Sequence, residues 1–220
     1  MPNQNQNQIQ NGTQMPPNMM GNQAMNQNHG GHELFDAHEV IAGIISMLDL
    51  YQLYDQHIQD PELKDINHRQ AAFVTQMYNT IVDCFKTGQD PQVPTQQYKM
   101  NQNNNSIYGV KPGQPKKPNK SVNDLSDQGL SAYMLGNTKS LASLLAMTAL
   151  EMTNPVLRRV IADSVPNFIE MSYETYLYQN KHGYYQVPQL NDQDMALMLQ
   201  SYAPAPAPQQ GKPNQGNMPH

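Results

Sequence analysis

The segment DPELKDINHRQAAFVTQMYNTIVDCFKTG, residues 60–88, has the features of a complete α-helix. Asp60 is a favourable N-cap, Pro61 suits the first helical position, and Gly88 is typical of the residue that follows a helix. Between these signals, apolar side chains recur every three or four residues, at Leu63, Ile66, Phe73, Val74, Met77, Ile81 and Phe85. One face of this helix is therefore apolar and must pack against another element.

A second helix is predicted just before it, from Glu33 to about Ile58. Its apolar positions are Leu34, Ile41, Ile44, Ile45, Leu48 and Tyr51, again at helical spacing. Only Gln59 and Asp60 separate the two segments. We expect them to form an antiparallel helical hairpin.

A second hairpin is predicted in residues 121–182. The third helix spans Ser121 to Met152, with its first turn set apart near Asp127, and Asn154-Pro155 repeats the cap-plus-proline signal. The fourth helix runs to about His182, and Pro166 inside it is expected to kink or split it near Ser164. Residues 184–188 are expected to be extended, before a short last helix that is capped by Asn191 and ends near Tyr202.

A long connection, residues 89–120, joins the two hairpins and is rich in Pro, Asn and Gln. Two hairpins joined by a crossover predict an all-α four-helix bundle. Helices of ~26 residues rise ~39 Å, a length that suits a ferritin-like bundle. We place this helical domain at residues 32–202. Residues 1–31, rich in Asn, Gln and Met, and residues 203–220, rich in Pro and Gln, are predicted to be disordered tails.

The composition argues against several classes of partner. A net charge of −5 and an isoelectric point near 5.7 do not suit a nucleic-acid-binding protein. The one basic cluster, at Lys111, Lys116, Lys117 and Lys120, lies in the proline-rich connection and is interpreted as a solvated spacer. We expect no membrane span and no cleaved signal peptide. Cys84, the single cysteine, is expected to be a buried hydrophobic residue.

The acidic and histidine residues do not form a recognised metal motif. Ferritin-type di-metal centres use Glu-x-x-His pairs, and the sequence contains none; the closest approximation, residues 65–68, lies at the start of a helix. On the first helix, Glu33, Asp36 and Glu39 suit a charged start and outer face, whereas His38 is expected to point into the core. We therefore predict no metal, cofactor or catalytic residue.

One alternative site remains open on the fourth helix. Asp163, Asn167, Glu170 and Glu174 form a polar stripe, which we expect to face solvent. If the stripe faced inward, it would need partners such as His38, tyrosines, Lys139 or a metal ion. A metal centre, if present, would use His38, Asp163, Glu170 and Glu174.

Several long blocks resemble the spore coat protein F family of endospore-forming bacteria. They are ELFDAHEVIAGIISMLDLYQLYDQHIQDPELKDI (33–66), FKTGQDPQVPTQQYKM (85–100), SDQGLSAYMLGNTKSLASLLAMTALEMTNPVLRRVIADSVPNFIEMSYE (126–174) and YLYQNKHGYYQVPQ (176–189). The similarity covers about residues 33–203. It implies a ferritin-like helical domain with a structural role in the spore coat, in a protein made in the mother cell. Its partners would be other coat proteins, and self-association is left open.

Three further interpretations follow from these residues. Tyr184 and Tyr185, with the lysines of the connection, are candidates for covalent cross-linking in the coat. An atypical ferritin-like, metal-dependent enzyme that consumes peroxide is the alternative function. A third possibility is a protein whose first tail, residues 1–31, drives aggregation while the bundle is incidental.

Overall fold

The computed structural model describes residues 29–206, and this part of the chain is all-helical. Five α-helices follow one another: α1 (Gly31–Asp55), α2 (Pro61–Thr87), α3 (Asp127–Glu151), α4 (Pro155–Lys181) and α5 (Asp192–Leu199). A short 3₁₀ turn, Val122–Asp124, precedes α3 and matches the first turn that was predicted to be set apart. The predicted helix signals are confirmed at Asp60, Asn154 and Asn191, whose side chains accept hydrogen bonds from backbone N–H groups at the helix starts.

The four long helices surround one core, and each packs against two neighbours. α1 lies beside α2 and α3, and α4 lies beside the same two helices. The hydroxyl of Tyr51 on α1 bonds to Gln70 on α2, and Glu33 at the start of α1 bonds to Thr153 just after α3. Neighbouring helices are therefore antiparallel, and α2 and α3 lie on a diagonal and run in the same direction. The connection between them must travel the length of the helices.

The buried face of α2 agrees with the sequence pattern, but that of α1 does not. Leu63, Ile66, Val74, Met77 and Ile81 are buried as expected. On α1 the buried positions are Glu33, Ala37, Val40, Ile44, Met47, Tyr51 and Tyr54. Apolar residues lie on most sides of α1, so the pattern did not determine which side faces the core. The predicted face was rotated, and the placement of His38 in the core is wrong: its side chain is exposed.

Pro166 does not split α4, which was one of the two outcomes that the sequence predicted. The helix continues from Pro155 to Lys181, and Pro166 lies on its exposed side. The missing N–H of the proline leaves the carbonyl of Ala162 without its usual partner in the helix. Because Pro166 faces away from the core, water can hydrate this carbonyl. The helix therefore tolerates the proline without breaking.

The connection between α2 and α3 lies along the groove between α2 and α4. The Tyr98 ring packs edge-on against Phe73 of α2, with ring centroids 5.3 Å apart. Further along, Gly109 donates a backbone hydrogen bond of 2.8 Å to Val187, beyond the end of α4. We call residues 89–120 the crossover. The predicted tails, residues 1–31 and 203–220, lie mostly outside the described residues.

Within residues 29–206, no helix combines the length and the apolar character that crossing a membrane requires.

Candidate functional site

Glu174 of α4 is fully buried and holds the crossover to the helices. Its carboxylate pairs with Arg69 of α2, with Nη2 2.8 Å from Oε1 and Nη1 3.3 Å from Oε2. The crossover contributes the Tyr98 hydroxyl, which donates to Oε2, and the Asn101 backbone N–H, which donates to Oε1 over 2.9 Å. Glu174 therefore joins α2, α4 and the crossover at one point.

Two asparagines of α4 hold the crossover on either side of Glu174. The Asn167 carboxamide accepts from the Tyr98 N–H over 2.8 Å and donates to the Gln96 carbonyl over 3.1 Å. The Asn180 carboxamide accepts from the Ile107 N–H over 2.6 Å and donates to the Ile107 carbonyl over 2.9 Å. Because a carboxamide has an oxygen that accepts and an NH₂ group that donates, it can bond to both an N–H and a carbonyl of an extended segment. Asn167, Glu174 and Asn180 form what we call the α4 clamp.

Burial and hydrogen bonding at the α4 clamp change the pKa values of Tyr98 and Arg69. Burial raises the pKa of Tyr98, and its hydrogen bond to Glu174 raises it further, so that the phenol stays protonated and acts as a donor. Burial acts to lower the pKa of Arg69, but the hydrogen bonds to Glu174 and Asp65 outweigh it and raise the pKa above its usual range. The guanidinium therefore stays charged beside the Glu174 carboxylate. The protonated Tyr98 and the charged Arg69 both bond to Glu174, so they are suited to hold α2, α4 and the crossover together.

Glu33 is a second fully buried carboxylate and lies at the opposite end of the helices. Its Oε2 accepts from the Thr153 N–H over 2.6 Å, from the Thr153 hydroxyl and from the Asn154 N–H over 2.9 Å. His29 places Nδ1 2.5 Å from Glu33 Oε1 and Nε2 3.0 Å from the Phe85 carbonyl. The two ring nitrogens of His29 therefore connect the Glu33 carboxylate to the backbone near the end of α2.

The pKa of Glu33 is lowered in this environment. Burial alone would raise it, but the hydrogen bonds from Thr153, His29 and the Asn154 amide outweigh burial. The sequence prediction that Glu33 lies on a solvated outer face is wrong. Its carboxylate caps the turn between α3 and α4 and connects this turn, through His29, to the end of α2.

In the described part of the chain, one group of three potential metal ligands converges: Asp60, Glu62 and His182. The antiparallel packing of α2 and α4 brings the start of one helix to the end of the other. His182 Nε2 lies 3.7 Å from Asp60 Oδ2 and 3.8 Å from Glu62 Oε2. The carboxylates already have donors: Tyr178 lies 2.8 Å from Asp60, and Lys181 lies 2.7 Å from Glu62.

These donors also explain why the pKa values of Asp60 and Glu62 are lowered. Burial acts to raise the pKa of Asp60 and of Glu62. For Asp60, the hydrogen bonds from Tyr178 and the Glu62 backbone together with the nearby His182 outweigh burial, so the pKa is lowered. For Glu62, the hydrogen bonds from Lys181 and Gln102 and the charge of Lys181 together do the same. The cluster thus forms a network of ion pairs and hydrogen bonds between the two helix ends.

The four candidate metal ligands do not converge in the structure. His38 is exposed on α1, Asp163 is exposed on α4, and Glu170 is half-buried. Glu174 is buried and paired with Arg69, a partner that the sequence did not indicate. The expected solvent-facing stripe is therefore divided: Asn167 and Glu174 face the crossover, whereas Asp163 faces solvent.

The candidate cross-linking tyrosines lie just beyond α4 and differ in exposure. Tyr185 is exposed, packs edge-on against Tyr176 with centroids 5.2 Å apart, and has the Lys139 Nζ 5.6 Å from its ring centroid. Tyr184 is half-buried and stacks on His182, with ring centroids 5.5 Å apart. Lys116 of the crossover reaches the Tyr184 carbonyl at 3.4 Å. A crossover lysine and both tyrosines thus share one surface.

Cys84 is buried, as the sequence predicted. Burial raises the pKa of its thiol to about 11, and nearby carboxylates add to the effect. The thiol is therefore protonated near neutral pH and poorly reactive.

Sequence reasoning missed Arg69, Asn180, Tyr98 and the buried role of Glu33. One signal was available in the spacing of Asn167 and Glu174, which are seven residues apart and so share a helix face. Their partners are mostly backbone groups of the crossover, and the sequence does not reveal where a connection without regular structure packs.

Comparison with known proteins identifies the family. The model of the Coat F domain matches residues 126–188, which comprise α3, α4 and the first residues after them. The chain is also 48% identical over 189 residues to spore coat protein F-like protein YhcQ of Bacillus subtilis (strain 168), covering 86% of each chain. The chain belongs to the spore coat protein F family. This confirms the resemblance seen in the sequence and the predicted location in the spore coat.

No solved structure matches this chain of the spore coat protein F family. The family's Coat F domain contains all three residues of the α4 clamp, whereas their crossover partners and Arg69 lie before the matched segment.

Proposed function

We propose that this spore coat component has a structural, non-catalytic role, as a ferritin-like four-helix bundle that enters the coat through contacts of its bundle surface and its predicted tails. The observation that carries this proposal is that both buried carboxylates bond to other segments of the protein. Glu33 and Glu174 are the fully buried acidic residues of the described chain, and each bonds to segments distant in sequence. Each carboxylate is already bonded to four groups of the protein, and such contacts stabilise an architecture.

The connectivity supports the ferritin-like assignment. α1 and α2 run antiparallel, as do α3 and α4, and the crossover joins two helices that run in the same direction. Bundles with one long crossover of this kind include the ferritin-like folds. Helices of 25 and 27 residues also agree with the expected length.

Incorporation can be tested by following the protein in coat extracts of spores. We expect the full chain, the chain lacking residues 1–31 and the chain lacking residues 203–220 all to remain in the coat fraction, because the bundle surface contributes contacts of its own. If deletion of residues 1–31 alone abolished coat association, the tail-driven alternative would be favoured. A variant unfolded by substitution in the core, Leu145→Asp, is the control that should be lost from the coat.

The metal-dependent, peroxide-consuming enzyme is the less favoured alternative. Its four candidate ligands do not converge, and the best-buried of them, Glu174, already has a guanidinium partner. Elemental analysis of purified protein would separate the two functions. Stoichiometric iron or manganese that is lost from Glu170→Gln, while the variant keeps its helical content, would contradict the structural role.

Cross-linking through Tyr184 and Tyr185 remains part of the structural proposal. The exposed ring of Tyr185 and the nearby Lys116 support it, because both groups can be reached from solvent. Mass spectrometry of digested coats should find cross-linked peptides from residues 176–185 or 111–120. Their complete absence, with other peptides of the chain recovered, would remove this idea.

A further inference from the structure

A shallow groove lies between α1 and α3 on the outside of the bundle. The two helices approach closely at Gly43, where a Cβ atom would lie 2.9 Å from Cδ2 of Leu141. Beside this contact is a space of about 240 Å³, lined by Gly43, Ser46, Met47, Leu50, Asn137, Ser140, Leu141 and Leu144. We call this space the α1/α3 groove. None of its lining residues is charged.

The α1/α3 groove combines apolar side chains with hydroxyl groups. Leu50 and Leu144 are half-buried, so each still has apolar surface to offer. Ser46 and Ser140 are exposed, one on each helix. Because a charge that is buried without a partner costs free energy, the groove suits an occupant with apolar and uncharged polar side chains.

The groove on the opposite side of the bundle already holds such a segment. Residues 91–98, PQVPTQQY, carry no charge and belong to the crossover. Asn167 bonds to the backbone of Gln96 and Tyr98, and the Tyr98 ring packs against Phe73. Among residues 29–206, no segment fills the α1/α3 groove in the same way. This bundle therefore binds an uncharged, irregular segment in one groove and leaves a second groove open.

The chain enters α1 at one end of the α1/α3 groove. The Gly30 N–H donates to the Thr153 hydroxyl over 3.0 Å, just beyond the end of α3. From Gly31, the positions of Gly43 and Leu50 lie ~18 Å and ~28 Å along α1. An extended chain covers ~3.3 Å per residue, so about five to ten residues reach this part of the groove. Counted back from Gly30, these are residues 20–25.

The segment within reach, MGNQAM, has the chemistry that the groove requires. Met20 and Met25 have flexible thioether side chains, which adapt to irregular apolar surfaces. Asn22 and Gln23 carry carboxamides that can bond to serine hydroxyls. Residues 1–28 contain no Asp, Glu, Lys, Arg or His, so docking would bury no charged side chain.

The other end of the chain matches the groove less well. Residues 207–220 include Lys212. They also follow α4, which ends at the opposite end of the bundle from Gly30, since α4 runs antiparallel to α3. Reach and charge both favour the N-terminal segment.

We propose that residues 20–25 bind in the α1/α3 groove of their own chain, with Met25 near Gly43 and Met20 near Leu50. Asn22 and Gln23 then face Ser46 and Ser140. This inference goes beyond the structural role proposed above and does not depend on it. It divides the first predicted tail into a segment that belongs to the bundle and residues 1–19, which extend past the groove and stay available to neighbours.

The methionines of the tail report on their own accessibility. Purified full-length chain is treated briefly with dilute hydrogen peroxide, and peptide mass spectrometry gives the oxidation rate of each sulfur atom. Met20 and Met25 should be oxidised roughly three- to tenfold more slowly than Met15, which lies beyond the groove. Equal rates for the three methionines would overturn the proposal.

Two serines of α3 provide a matched pair of variants. Ser140→Glu places a carboxylate in the groove, whereas Ser143→Glu places one on the same helix outside it. Both serines are exposed, so both variants should keep their helical content. Ser140→Glu should bring the rates of Met20 and Met25 to within about twofold of Met15, because docking would now bury a charge. Ser143→Glu should keep the slow rates. Undiminished protection in Ser140→Glu would overturn the assignment to this groove.

A dilution series separates docking within one chain from docking between two copies. Binding to the same chain is independent of protein concentration, because the segment is tethered to its site. The slow oxidation of Met20 and Met25 should therefore be unchanged from about 100 µM to about 1 µM chain. Protection that disappears on dilution would show that a second copy supplies the segment, and would overturn the proposal.

Discussion

Arg69 and Glu174 form a two-point ion pair between α2 and α4, with Nη2 2.8 Å from Oε1 and Nη1 3.3 Å from Oε2. The carboxylate is fully buried, whereas the arginine side chain is about one-quarter exposed. The same guanidinium also bonds to Asp65 at the surface, 2.7 Å from Nε. Arg69 therefore has two carboxylate partners that differ in exposure: Glu174 is fully buried, whereas Asp65 is at the surface.

Arg69→Met should destabilise the protein by about 3–5 kcal/mol, because it leaves Glu174 buried without its counter-ion. The loss of unfolding free energy can be measured by chemical denaturation that is monitored by circular dichroism. Adding Glu174→Gln should recover part of it, since the double variant buries no lone charge. The control is Asp65→Asn, which removes the exposed partner and should cost less than about 1 kcal/mol. An equal cost for the Asp65 variant would contradict the distinction between the two contacts.

Glu33→Gln should destabilise the protein by about 2–3 kcal/mol at pH 7, because four groups bond to the charged carboxylate: the Thr153 and Asn154 N–H groups, the Thr153 hydroxyl and the His29 ring. The pKa of Glu33 is lower in the folded state than the usual 4.5, so its stabilising contribution is fully present above about pH 4.5. This contribution is lost as the pH falls through the folded-state pKa. The difference in unfolding free energy between wild type and variant should therefore shrink below pH 4.5.

The exposed carboxylate of Asp163 offers a control for that pH series. Asp163→Asn should leave stability nearly unchanged at every pH. A Glu33→Gln deficit that stayed constant down to pH 3 would show that the charge of Glu33 does not carry the effect.

Asn167→Ala should release the middle of the crossover from α4. The buried Tyr98 N–H would lose its acceptor, at a cost of about 1–3 kcal/mol. Hydrogen exchange should show faster exchange of the Tyr98 amide, with amides in the interior of α3 unchanged. Asn137→Ala provides the control, since Asn137 makes a longer bond of 3.3 Å to the Tyr54 hydroxyl and holds no backbone segment. Unchanged protection of Tyr98 would contradict the role of the α4 clamp.

Pro166→Ala should stabilise the protein by about 1–3 kcal/mol. Alanine supplies the N–H that can bond to the Ala162 carbonyl, and the position is exposed, so no core contact is lost. Thermal unfolding would show a higher midpoint. A decrease would mean that the proline sets a helix bend on which the packing of α4 depends.

The sequence predicted the helices well because their signals are local. Asp60-Pro61 and Asn154-Pro155 mark helix starts through their own backbone and side-chain chemistry, and Gly88 ends α2 in the left-handed conformation that favours glycine. On α2 the apolar residues occupy one side, so the buried face could also be predicted. These features need no knowledge of distant contacts.

Prediction from the sequence failed where several faces of a helix carry similar residues, or where the partners of a side chain are distant in sequence. α1 is apolar on most sides, so His38 was assigned to the core and Glu33 to the surface. Glu174 was treated as solvent-facing because its partners, Arg69 and Asn101, are 105 and 73 residues away. The helix periodicity of α4 identified the polar stripe correctly but could not reveal that the crossover covers part of it.

The two ends of the four long helices are held by different contacts, and α1 begins at one end whereas α4 ends at the other. His29 is bonded to Phe85 near the end of α2, whereas Lys181 is bonded to Glu62 at its beginning. α2 has 27 residues and so spans ~40 Å between these points. A partner that contacts the chain near His29 and another that contacts it near Lys181 are therefore kept at a fixed separation. In an assembly, such a domain would hold two bound partners apart at chemically different ends.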